Sequence, residues 1–116
     1  IKDKFNKPVA VIALNNGIGK ASCRSIIGVN FGNKLIAAKN AGLIVHIETS
    51  GAYDVTGTWD WFCLSPKKNK LPVASAYAIA NELKVIIHNK HDFIFAEEQA
   101  EKVNKNAILL KRAQNP

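Results

Sequence analysis

Short β-branched, apolar runs alternate along this chain with longer stretches whose apolar side chains recur every three to four positions. That switching between two periods most restricts the fold. Residues 8–14 carry Val9, Val11 and Ile12 in an unbroken apolar run, the pattern of a strand buried on both faces. Asn15, Asn16, Gly17 and Gly19 then read as a loop. Over residues 22–41, Ile27, Phe31, Leu35 and Ala38 fall at helical spacing, with Ser22 as N-cap and Gly42 as stop. Gly28 and Gly32 would each weaken such a helix by about 1 kcal/mol relative to Ala. The rival reading makes residues 25–31 a strand and residues 33–41 the helix.

Further on, residues 43–48 alternate Leu43, Val45 and Ile47 against Ile44, His46 and Glu48, as a strand does. Gly51 starts a turn, residues 55–64 form a second strand candidate, and residues 65–70 read as a charged loop closed by Pro72. The Ala-rich residues 73–84 predict a helix. Residues 85–88 and 92–96 predict two short strands hairpinned around Asn89-Lys90. A last helix is expected from the stripe Ala96, Ala100, Val103, Ala107 and Leu110, supported by the pairs Glu98–Lys102 and Glu101–Lys105. Residues 107–112 have a closing strand as their alternative. The resulting order, β-α-β-β-α-β-β-α, predicts an α/β domain, with α+β as the alternative. It would be one domain over residues 1–116, a mixed sheet of four or five strands with about three helices.

Composition narrows the function classes. A chain of 116 residues with 47% hydrophobic and 22% charged residues is long enough for a real core and does not resemble a disordered one. No apolar run approaches the roughly 20 residues that cross a bilayer, so a water-soluble domain without a membrane span is expected. The net charge of +7 would attract nucleic acid, but Arg24 and Arg112 are the only arginines available to clamp phosphate or read base edges. There is no Met, and Ile1 is a poor residue for initiator removal. The expectation is a processed, excised or partial chain, with secretion or the periplasm as its compartment and the cytoplasm as the alternative. Cys23 and Cys63 would permit one disulfide there.

Four local patterns carry candidate chemistry. The loop Gly17, Gly19, Lys20 and Ser22 follows an apolar strand and, if it opens a helix, offers backbone N–H groups and an ammonium to an anion or nucleotide. His46 and Glu48 share a strand face, an acid/base arrangement that Lys84 and His88 could complete in a nuclease-like site. His88 and His91 would face each other across the expected hairpin, but no third ligand stands at metal-binding spacing, so neither a metal nor a cofactor is assigned. Trp59, Trp61 and Phe62 concentrate aromatic surface, and on one strand the two indoles would point the same way as a protein-binding patch.

Two family likenesses are visible. Gly17-Ile18-Gly19 resembles the glycine turn of short-chain dehydrogenases, although Ala13 replaces that family's first glycine and Asn81, not lysine, stands four residues after Tyr77. Asn30-Phe31, Lys34, Asn40-Ala41-Gly42 leading into Ile44-Val45-His46, and Leu71-Pro72-Val73 resemble protease-associated domains. That likeness implies a non-catalytic α/β insert of a secreted or vesicular protein, although the cysteine usual before Asn-Phe is missing. The leading expectation, from the missing initiator, the cysteine pair and the lack of a convincing catalytic constellation, is a non-enzymatic protein-interaction module of a secreted or periplasmic assembly working through Trp59, Trp61 and Phe62. A small basic nuclease-like toxin domain is the alternative, and phosphate or nucleotide capture the third reading.

Overall fold

A computed structural model describes residues 9–15, 18–24 and 31–113, with side chains from residue 33 onward. The chain divides into two compact units, residues 1–42 and 43–116. The fold is α/β, as expected. No described helix is long and apolar enough to cross a membrane.

In the first unit, β1 (Val9–Asn15) pairs antiparallel with β2 (Ile18–Arg24) in a register from Val9↔Arg24 to Asn15↔Ile18. Residues 18–24, expected to be loop and the start of a helix, are thus a strand. Ser22 accordingly lies inside β2, opposite Val11, and is not a helix N-cap. Helix α1 (Phe31–Asn40) occupies the second half of the segment with helical spacing. It ends where predicted: Gly42 takes φ +91°, and its N–H donates to the Lys39 carbonyl at 2.9 Å.

The second unit is a four-stranded sheet, β3 (His46–Thr49), β4 (Trp61–Leu64), β5 (Glu82–Ile87) and β6 (Ile108–Ala113), lying side by side in chain order. Every pairing is parallel, so this sheet is not mixed. Helix α2 (Ala74–Ile79) connects β4 to β5, and α3 (Lys90–Ala100) connects β5 to β6. Phe62, Leu64, Leu83 and Val85 from the strands meet Ala76, Tyr77, Ala80 and Ala96 in the core.

Three departures from the expected elements have local causes. The helix predicted over residues 73–84 stops at Ile79 because Asn81 joins the sheet. Its side-chain Oδ1 accepts the Phe62 N–H at 2.8 Å, its own N–H donates to the Phe62 carbonyl at 2.9 Å, and its carbonyl accepts from Ile108. The expected hairpin at Asn89-Lys90 is instead the start of α3. Asn89 and Asp92 form a reciprocal capping box, a signal present in the sequence as Asn followed three residues later by an acid. Finally, α3 ends at Ala100 because Asn104 turns the chain, donating to the Tyr77 carbonyl and accepting from Asn106 and Ala107. Residues 108–113 then form the closing strand that was the alternative, and Lys105 lies beyond the helix that its pair with Glu101 presupposed.

Candidate functional site

Strands send alternate side chains to opposite faces. From β3, β4 and β5, Ile47, Phe62, Leu64, Leu83, Val85 and Ile87 contribute to the core shared with α2 and α3. The other face carries His46, Glu48, Trp61, Cys63, Glu82 and Lys84, an unusually polar set for a parallel sheet. Lys84 Nζ and Glu48 Oε1 pair at 2.6 Å, with Lys84 18% and Glu48 49% exposed. Trp61 Nε1 donates to Glu82 Oε2 at 2.9 Å, and the His46 ring lies 6.4 Å from Trp61 at a 41° tilt. Cys63 is a free, buried thiol among these groups. Burial, then the neighbouring charges of Glu82 and Glu48, push it up to about 12, so it stays protonated and is a poor nucleophile.

At the C-terminal ends of these strands lies a cleft of about 780 Å³, lined by the loop after β4 (Pro66, Lys67, Lys68, Asn69), the end of β5 with His88, the first turns of α3, and Arg112 of β6. Open parallel sheets bind ligands outside the carboxyl ends of their strands, and this cleft has that position. Asp92 organises it. One oxygen takes Lys68, and the other accepts the backbone N–H groups of His88 at 2.7 Å and Asn89 at 3.0 Å. The Lys68 hydrogen bond, followed by that of the His88 N–H, holds the Asp92 carboxyl down at about 2.

The residues singled out from sequence are distributed over these features. His46, Glu48 and Lys84 share the polar sheet face, whereas His88 belongs to the cleft. His88 and His91 do not face each other across a hairpin, because His91 is in the first turn of α3. Among the described residues no group of three or more His, Cys, Asp or Glu side chains could hold a metal. Trp59, Trp61 and Phe62 do not form one surface. Strand β4 begins only at Trp61, Phe62 is core, and Trp59 packs against that core with its buried Nε1 unbonded, while Trp61 faces the opposite way. Gly19, Lys20 and Ser22 lie within β2, not in a loop that opens a helix, and Gly17 is outside the described residues. The side chain of Cys23, the proposed partner of Cys63, is likewise outside them. The sequence signal for Asp92, which ties two loops of the cleft together, is the capping pattern.

Comparison with curated proteins gives this architecture a chemical context. A stretch of 76 residues, 66% of the chain, is 79% identical to a protein of Flavobacterium psychrophilum named 7-carboxy-7-deazaguanine synthase. The chain is similar to 7-carboxy-7-deazaguanine synthases. Proteins of that name from a Synechocystis strain and Prochlorococcus marinus are 53% identical over 76 residues and 43% identical over 68. The chain spans only about a third of the length of these synthases, 36%, 36% and 30% respectively. No family model matches it, and no solved structure does. Similarity to synthases overturns the reading as a non-enzymatic interaction module, and it supports neither the nuclease-like alternative nor nucleotide capture at residues 17–22.

Proposed function

We propose that this chain is part of an enzyme that forms 7-carboxy-7-deazaguanine, and that it contributes one wall of the ligand site. The observation that carries this reading is the 79% identity over 76 residues to a synthase of that name. Two physical features agree with it. The cleft stands at the carboxyl ends of parallel strands, where α/β enzymes place their ligands. The ion-paired face of Glu48 and Lys84, with Glu82 and Cys63, keeps polar groups on a side of the sheet that would otherwise be apolar. The remainder of a synthase, about two-thirds of its length, would cover that face and supply the rest of the site.

Grafting tests the proposal. The segment of the Flavobacterium psychrophilum synthase that aligns with this chain is replaced by this chain's residues, and formation of 7-carboxy-7-deazaguanine is measured. The expected result is product at a rate within about tenfold of the parent enzyme. A folded graft that forms none would overturn the reading.

A further inference from the structure

The loop after β4 carries Lys67, Lys68 and Lys70, and each ammonium meets a different neighbour. Lys67 and Lys70 bridge each other antiparallel, which leaves Lys68 and Asn69 at the tip of a tight turn. Lys70 Nζ lies 4.3 Å from the centre of the Tyr53 ring, in the loop after β3. Lys68 pairs with Asp92 in the first turn of α3, and its Nζ lies 5.6 Å from the centre of the Phe95 ring. Because β4 stands between β3 and β5, these contacts fasten its loop on both sides. The two sides are not equally secured. Towards β3, backbone bonds add to the hold, from the Ser65 N–H to the Thr49 carbonyl and from the Val73 N–H to the Gly51 carbonyl, each at 2.8 Å. Towards β5, no backbone hydrogen bond joins residues 65–70 to the β5–α3 turn among the described residues. Lys68 and Asp92 are the polar tie there. Asp92 makes a firm post for it, since the carboxylate is buried and its other oxygen is held by the His88 and Asn89 N–H groups. The third ammonium, of Lys67, lines the cleft and donates to the buried Ser65 hydroxyl at 3.2 Å, directly after β4. Carboxyl ends of parallel strands are where such sheets meet their ligands.

We propose that Lys68 and Asp92 are positioning residues of the synthase site. Their pair holds the loop after β4 against the β5–α3 turn and so sets Lys67 and Ser65 at the end of β4. Both act through the loop and neither meets the reacting atoms. This role rests on the synthase reading and deepens it, naming the side chains that fix one edge of the site.

Kinetics of the grafted synthase test the role from both ends of the tie. Asp92→Asn can leave its oxygen on the His88 and Asn89 N–H groups while turning an N–H towards Lys68, so the turn stays closed and the tie is cut. Lys68→Met cuts it from the other end and keeps an unbranched side chain beside Phe95. Each variant should raise KM for formation of 7-carboxy-7-deazaguanine by about fivefold or more and change kcat by less than about twofold. Loss of stability alone would reduce the active enzyme, and with it the apparent kcat, and would leave KM where it was. The double variant Lys68→Met/Asp92→Asn should be no worse than either single one, because the two residues make one tie. Lys68→Arg should recover most of the KM, since a guanidinium can still meet the carboxylate. Should Asp92→Asn fail to fold, Lys68→Met and Lys68→Arg decide the matter. In a graft that forms product, single variants with an unchanged KM overturn the role, as do KM increases that multiply in the double variant. A folded graft without product removes the functional reading, and the positioning role with it.

Discussion

Asp92 pairs with Lys68, 24 residues earlier, and so ties the first turn of α3 to the loop that follows β4. The same carboxylate closes the β5–α3 turn through two backbone N–H groups. One side chain therefore fixes the relative position of two loops that line the cleft.

Asp92 should make stability acid-sensitive. Its carboxyl lies at about 2 in the folded chain against an ordinary 3.8. A depressed folded value means that the stabilisation is complete above the unfolded value, declines as pH falls below it, and is gone below about 2. Urea midpoints measured from pH 7 down to pH 2 should fall across that window in the parent. In Asp92→Asn the midpoint should be lower at pH 7 and the acid-dependent fall smaller. Identical pH profiles for the two proteins would contradict the pairing.

Gly51 should not tolerate a side chain. Its φ is +68°, and a Cβ there would meet Leu64 Cδ1 at 2.5 Å and the Ala76 Cβ at 3.0 Å. Left-handed strain and overpacking together give an expected loss of roughly 2–4 kcal/mol for Gly51→Ala. Equilibrium denaturation checks this, and a loss below about 0.5 kcal/mol would show that the turn yields.

Asn81 should matter through its side chain more than its exposure implies. Asn81→Ala leaves the buried Phe62 N–H without its 2.8 Å acceptor, at an expected cost of about 1–3 kcal/mol. Asn81→Asp keeps an acceptor at that position and should recover part of the loss. Denaturant titration of the two variants separates lost hydrogen bonding from lost volume.

Cys63 should be inert in the folded chain. In a Cys23→Ser background, an aromatic disulfide reagent at pH 8 should label no thiol until denaturant is added, because Cys63 is buried and protonated. A value raised from 9.0 to about 12 also has a linkage consequence: stability should decline as pH rises from about 9 toward 12. Rapid native labelling would show that the polar face is open around the sulfur.

Much of the second unit was legible one strand at a time. The alternation of Leu83 and Val85 with Glu82 and Lys84 was hidden under the helix expected over residues 73–84, and the structure buries the first two while leaving the others half-buried. The shared face of His46 and Glu48 followed from the same rule and holds in β3. The reading of residues 82–84 as helix failed because a run of good helix formers carries no record of its partner. Asn81 bonds to Phe62, 19 residues away, and that contact ends the helix.

By itself, the sequence determined the α/β class, the stop at Gly42 and the shared strand face of His46 and Glu48, because side-chain periodicity and turn chemistry act within a few residues. Only the tertiary structure decided that four strands run parallel in chain order, that Trp59 and Trp61 turn to opposite sides, and that Lys67, Lys68, Asp92 and Arg112 border one cleft. Those outcomes depend on pairing between segments far apart in the chain, and local preference cannot encode which distant backbone will satisfy a given N–H or which distant carboxylate will meet a given ammonium.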